Sequence, residues 1–225
     1  MFVKLIDPYN EDLANYQLYK TAYAMTTCTM NEENLDKNDI EKHKKLIQTL
    51  IDKGHTSVLE HINYTFEICD ITRALLQEIS RHRHTSPTVQ STRWALKKMD
   101  NKYQEAESSG GNTYDINKFI HIPSNLESED YERYIKVVKD MLQVRAEFSK
   151  KYGNDTAKYL TPECIYTKEI LTVNARSLLN MFELRTSHRA LEEFRTLMRA
   201  IYIIMPQNHK FIYEKVIENN KNEED

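Results

Sequence analysis

Arg81, His82 and Arg83 stand side by side in this chain, and Ser86, Ser91 and Arg93 follow close behind. A guanidinium presents a planar fork of donors matched to phosphate or carboxylate oxygens, and hydroxyls can donate to the same group. So dense a set could hold two phosphates, or a phosphate and a base. The competing reading is a helix C-terminus decorated with cations that complement the dipole's negative end. A second set lies in VNARSLLNMFELRTSHRA, residues 173–190. If this stretch is helical from Asn174, then Arg176, Asn180 and Leu184 form one i, i+4, i+8 row. Asn174 and Arg185, eleven residues apart, return to nearly the same angle. Leu178, Leu179 and Phe182 supply packing. Either a planar polar ligand docks on that face, or this is an ordinary surface helix. Arg185 cannot accept a proton near neutrality, but it could stabilise a developing anion. The third set, His55, Glu60 and His61 with His82 and His84, invites a metal reading. The His-x5-His spacing does not put two rings on one helical face, so structural histidines fit better, with Glu60 and His61 orienting their neighbours.

Several chemistries lack their motifs. With only four glycines there is no GxGxxG or GxxxxGK[ST], so any phosphate must be gripped by side chains. A GxSxG elbow, a zinc-deaminase signature and a kinase signature are also absent. The three cysteines, Cys28, Cys69 and Cys164, show no CxxC spacing, which argues against a disulfide framework or thiolate zinc site and for a reducing compartment. Cys164 has no neighbour to activate it and reads as a structural thiol. A net charge of -3, from 31 basic and 34 acidic residues, provides no bulk attraction to nucleic acid. MFVKLIDPYNEDL carries charges at positions 4, 7, 11 and 12, which predicts neither a signal peptide nor a membrane span, and a cytoplasmic protein.

The elements that must position these residues read clearly. Residues 2–6 form an apolar run suited to a strand, and a helix is expected over 11–24. Ile40, Leu46, Ile47, Leu50 and Ile51 predict a helix over 39–52 that Gly54 ends. Ile62, Tyr64, Phe66 and Ile68 alternate with polar residues, the pattern of a half-buried strand. Residues 71–83 return to helical spacing, and Pro87 predicts a handover to a loop. A mobile excursion is expected at 98–113, a long helix over 127–151 and a strand over 164–173. Helices near 174–185, 188–204 and 208–218 follow, then a frayed acidic tail at 219–225. One domain over 1–225 is expected.

Arg81-His82-Arg83, seven residues and then Ser91 resembles the RHR-x7-S signature of the flavin-dependent thymidylate synthases. Residues 173–185 and GHTSVLEH (54–61) resemble two further blocks of that family, in the same order and at fitting separations. The resemblance implies an α/β fold of α+β type, with a central, mostly antiparallel twisted sheet flanked by helices, in a homotetramer with shared active sites. It implies bound FAD, dUMP as substrate, 5,10-methylenetetrahydrofolate as carbon donor and NADPH as reductant, with no metal, nucleic-acid or membrane partner. Carried over by residue, it assigns Arg81, His82 and Arg83 to the flavin, with Arg81 also reaching dUMP from a neighbouring subunit. Ser57, Asn174, Arg176, Asn180 and His55 are further flavin contacts. Gln90, Ser91, Thr92 and Arg93 line the dUMP phosphate and sugar, so Ser91 is a phosphate ligand and not a nucleophile. Arg185 faces the uracil ring as the catalytic group.

Five positions depart from the family pattern. Glu78 stands at a nucleotide-contacting place where glutamine is frequent, and Val89 where a polar side chain is common, leaving only a backbone contact with the flavin. Trp94 replaces a tyrosine, and Arg189, after His188, stands where some members have histidine. Lys158 replaces an arginine that helps grip dUMP, keeping the charge without the bidentate fork. Two other functions compete: a nucleic-acid module that stacks bases on tyrosines beside the RHRH patch, and a histidine-metal hydrolase.

Overall fold

The computed structural model describes all residues except 7–9, 30–34, 94, 96–115 and 223–225. The N-terminal apolar run forms strand β1 (Phe2–Leu5), followed by helix α1 (Glu11–Thr29) and helix α2 (Ile40–Asp52). Asp39 caps α2 by accepting from the Lys42 amide at 3.0 Å, a contact worth about 1 kcal/mol. Gly54 follows with φ of +77°, the left-handed conformation that a residue without Cβ adopts cheaply. A short 3-10 segment, Thr56–His61, leads into strand β2 (Asn63–Thr72).

In β2 the expected alternation is observed, with Tyr64, Phe66 and Ile68 buried. It breaks at Asp70, which is exposed with φ of +57°, so that Ile71 and Thr72 are both buried. Aspartate tolerates that conformation better than most side chains. The Thr72 hydroxyl then accepts from the Leu75 amide at 2.9 Å and starts helix α3 (Arg73–Ser80). Beyond it the structure departs from expectation: residues around Pro87 form strand β3 (Thr85–Val89) and not a loop. The sheet order is β1-β2-β4-β3, where β4 is Tyr166–Asn174, so β3 is an edge strand. An edge is where proline, lacking a donor, is tolerated.

The remaining helices are α4 (Ser128–Tyr152), α5 (Ala175–Arg185), α6 (Glu192–Ile204) and α7 (Phe211–Asn222). The last runs to Asn222, inside the stretch expected to fray. The expected excursion at 98–113 and Trp94 lie outside the described residues. Pairings of Ile62 with Ala175, Thr65 with Thr172 and Arg73 with Ile165 run β2 and β4 antiparallel. Helices together with an antiparallel sheet make the α+β class expected. Among the described residues no helix is long and apolar enough to cross a membrane.

The chain falls into two compact units, one of residues 1–68, 79–88 and 170–225, the other of 69–78 and 89–169. Boundaries between their residue ranges fall inside β2 and β4. The first unit buries Leu18, Ile47, Phe66, Phe182, Phe194 and Tyr213. In the second, Ile116, Ile120, Ile135, Val138, Leu142 and Ile165 form a cluster against which Tyr131, Tyr134 and Cys164 pack.

Candidate functional site

The three sequence blocks meet within the first unit. Glu60 from the 3-10 segment, His82, Arg83 and His84 from the segment after α3, and Asn174, Arg176, Ser177 and Asn180 from the start of α5 line one cavity of about 410 Å³. Local chemistry sets each contribution. Asn174 ends β4 in an extended conformation and caps α5, its side-chain oxygen accepting from the Ser177 amide at 2.8 Å. The Ala175 amide donates to the Ile62 carbonyl at 2.8 Å and ties that junction to the end of the 3-10 segment. Arg176 and Asn180 project on the exposed side of the helix while Leu178, Met181 and Phe182 are buried on the other. The i, i+4 row of the sequence is therefore a polar wall of the cavity.

Glu60 accepts a 2.6 Å hydrogen bond from Arg176 Nη1, so it orients a neighbour, the role expected of it from its place just before the alternating strand. Both side chains are half-exposed, so the pair is worth at most about 1 kcal/mol. Its electrostatic effect on an anion in the cavity is larger than its effect on stability. Glu60→Gln is expected to change unfolding free energy by less than about 1 kcal/mol. Removing one negative charge at contact distance should tighten binding of inorganic pyrophosphate about fivefold at low ionic strength. Calorimetric titration at two salt concentrations checks this; unchanged affinity at low salt would show that Arg176 does not face the anion.

Arg185, the last residue of α5, turns to a second arrangement in the same unit. Its Nε donates to His82 Nε2 at 3.0 Å, and its guanidinium carbon lies 4.9 Å from the Phe194 ring centre. The His82 ring meets the same phenyl edge-on, with centroids 5.7 Å apart. Since Nε2 accepts here, the ring proton sits on Nδ1 and the imidazole is neutral. Phe194 is fully buried in α6 and serves as the platform on which both groups rest. No chemical motif marks Phe194 in the sequence, where it is one apolar residue of a helical stripe.

The other expected site residues are placed as follows. His55 precedes the 3-10 segment and Ser57 lies within it, both exposed. Arg81, also exposed, follows α3; none of these three is among the described residues lining the cavity. Glu78, Val89, Gln90, Ser91, Thr92, Arg93 and Lys158 belong to the second unit. There Glu78 is half-buried on α3, and the Gln90 amide donates to the Lys168 carbonyl at 2.8 Å, extending the edge pairing. The Ser91 carbonyl accepts from Ala95 at 3.0 Å, opening a helical turn that holds Thr92 and Arg93. Arg93 reaches Asp155 at 3.4 Å, an exposed pair that water screens and an anion can displace. Asp155 sits in the short helix Asn154–Ala157, directly before the turn Lys158–Leu160 that presents Lys158 to solvent.

Among the described residues no group of three or more His, Cys, Asp or Glu side chains could hold a metal ion. The Cys164 thiol is pushed up by burial, which keeps it protonated and unreactive.

Residues 10–209 match the family model described as thymidylate synthase complementing protein. A flavin-dependent thymidylate synthase of Campylobacter jejuni (strain RM1221) is 42% identical over 194 residues, covering 86% of this chain and 89% of the relative. One of Wolinella succinogenes is 34% identical over 193 residues, covering 85% and 90%. The crystal structure of thymidylate synthase X from Helicobacter pylori with FAD and dUMP superposes with a TM-score of 0.77 at 28% identity, over 97% of this chain and 100% of that one.

Proposed function

Since the chain belongs to the flavin-dependent thymidylate synthase family, we propose that it converts dUMP to dTMP by reductive methylation. FAD is the cofactor, 5,10-methylenetetrahydrofolate the carbon donor and NADPH the reductant. The observation that carries this reading is the convergence of the blocks at 54–61, 81–84 and 174–180 on one cavity. Its donors suit a dinucleotide: two guanidiniums for phosphate oxygens, and carboxamides and a hydroxyl for the polar edges of a planar ring. With its oxygen engaged in capping, Asn174 offers an N–H donor to a ligand. Without a glycine loop, these side chains replace the backbone amides that grip phosphate elsewhere.

His82, Arg83, Asn174, Arg176 and Asn180 would hold the flavin nucleotide, with His55, Ser57, Arg81 and the Val89 backbone as outer contacts. When bound, FAD supplies hydride chemistry, accepting two electrons from NADPH and returning a hydride to the one-carbon unit. Glu78, Gln90, Ser91, Thr92, Arg93 and Lys158 would bind dUMP, with Ser91 and Arg93 on the phosphate and Lys158 adding charge without a fork. Arg81 would reach the nucleotide of a neighbouring subunit. Arg185 would face the uracil and stabilise its ionised form, which places electron density on the carbon to be methylated.

A homotetramer agrees with an apolar stripe on α4. Val137, Met141, Val144, Phe148 and Tyr152 recur at helical spacing and are exposed, a surface that a second copy of the chain would cover. The metabolic role is that of a cytoplasmic enzyme of nucleotide synthesis. Purified protein is expected to be yellow, to bleach anaerobically with NADPH, and to form dTMP only when dUMP, the folate and NADPH are all present. A colourless protein that takes up no added FAD would overturn the assignment.

A further inference from the structure

Helix α7, which lies beyond residues 10–209 matched by the family model, reaches back to the turn that carries Arg185. The Asn220 side-chain amide nitrogen lies 2.6 Å from Thr186 Oγ1, 3.0 Å from the Glu183 carbonyl oxygen and 3.4 Å from that of Phe182. Its two hydrogens serve the nearer two. Thr186 Oγ1 in turn donates to the Phe182 carbonyl at 2.7 Å, and the Thr186 amide bonds the same carbonyl at 3.1 Å. The last carbonyls of any helix lack intrahelical partners and leave its final turn free to fray. Here that turn is closed from outside, on both sides of Arg185. Residues 212 and 213 are buried at the start of α7, which anchors the helix that supplies the clamp.

We propose that Asn220 is a positioning residue for Arg185, acting through Thr186. This rests on the role assigned to Arg185 above. With Asn220 bonding Glu183 and Thr186 on either side of Arg185 and with Phe194 and His82 at its tip, the guanidinium keeps the fixed placement that charge stabilisation requires. A loss of placement of about 1 Å can cost up to about a hundredfold in rate.

Two substitutions break the link without changing shape: Asn220→Asp removes the donor, and Thr186→Val removes the hydroxyl. Each is expected to lower kcat about tenfold, with FAD stoichiometry unchanged and KM for dUMP within about threefold. Thr186→Ser, which keeps the hydroxyl, should stay within about twofold of the parent. The double variant should lose less than the product of the two single losses, because both cut the Asn220–Thr186 bond. Backbone amide exchange over residues 183–186 should quicken about tenfold in Asn220→Asp and Thr186→Val. That readout needs no turnover, so it judges the clamp even if the parent forms no dTMP or Arg185→Ala stays active, results that would sink the functional reading instead. Unchanged exchange, kcat within twofold of the parent in both variants, or equal losses in Thr186→Ser and Thr186→Val would overturn the proposal. If Asn220→Asp does not fold, the Thr186 pair decides by the same measures.

Discussion

Arg185→Ala is expected to abolish dTMP formation, with kcat falling at least about a hundredfold, while the purified variant retains a full complement of FAD. The flavin contacts proposed for the cavity come from Asn174, Arg176, Asn180, His82 and Arg83, and truncating Arg185 removes none of them. What it removes is a cation resting on Phe194 at 4.9 Å and bonded to His82 at 3.0 Å. A group so braced needs no reorganisation when negative charge develops on a substrate ring, the condition under which a fixed donor lowers a barrier most. Proton abstraction by Arg185 is ruled out by its basicity, so loss of the variant's activity reports charge stabilisation. Arg185→Lys sharpens the test. An ammonium keeps the charge but neither stacks flat on a phenyl ring nor presents a fork, so its rate should fall between those of the parent and the alanine variant. Turnover by Arg185→Ala within fivefold of the parent, measured at saturating dUMP, would refute the role.

How much of this was legible in the sequence depends on the range of the interaction concerned. Local periodicity located β2 through Tyr64, Phe66 and Ile68, and located the polar row Arg176 and Asn180 on α5, because alternation and helical spacing are properties of consecutive residues. Pro87 departs from expectation for the same reason. Its local preference forbids helix and discourages strand, but the sheet order places Thr85–Val89 at an edge, where the missing donor costs little. Contacts between distant residues were out of reach. Glu60 and Arg176 are separated by 116 positions, and Arg185 and His82 by 103. The charges of Glu60 and Arg176 announced that partners were needed without saying which. Phe194 and Asn220 gave no signal, since one looks like any core aromatic and the other like any polar residue near a chain end. The family resemblance supplied roles for Arg185 and for the residues at 90–93, which residue types alone left as a choice between an anion site and a decorated helix end.

Glu169→Gln is expected to stabilise the protein at pH 8 by about 3 kcal/mol and to leave it unchanged near pH 4.5. Glu169 points inward from β4 with 1% of its surface exposed, and among the described residues neither carboxyl oxygen has a hydrogen-bond partner. Burial raises its pKa from 4.5 to about 7. Between those values the folded chain binds a proton that the unfolded chain has released, so stability falls as pH rises through this window and stays low above it. Gln buries an amide as poorly satisfied as the protonated acid, so the difference between the two chains isolates the cost of ionisation. His209 acts in the opposite sense. Fully buried, it donates from Nε2 to the Ala14 carbonyl at 2.9 Å and accepts from the Tyr64 hydroxyl at Nδ1, also at 2.9 Å, while Tyr213 donates to Tyr64 at 3.2 Å. Every position on the ring is filled in its neutral form, and burial lowers its pKa from 6.5 to about 4. Here the unfolded chain binds the extra proton, so stability grows as pH rises from about 4 to 6.5. The two slopes are similar in size and opposite in sign, so free energies from urea unfolding of the parent should be nearly flat where the windows overlap. Removing the Glu169 titration exposes the histidine slope, and Glu169→Gln should lose stability steeply below pH 6.5 while the parent does not. Parallel profiles for the two proteins would mean that Glu169 ionises in the fold as readily as it does in water.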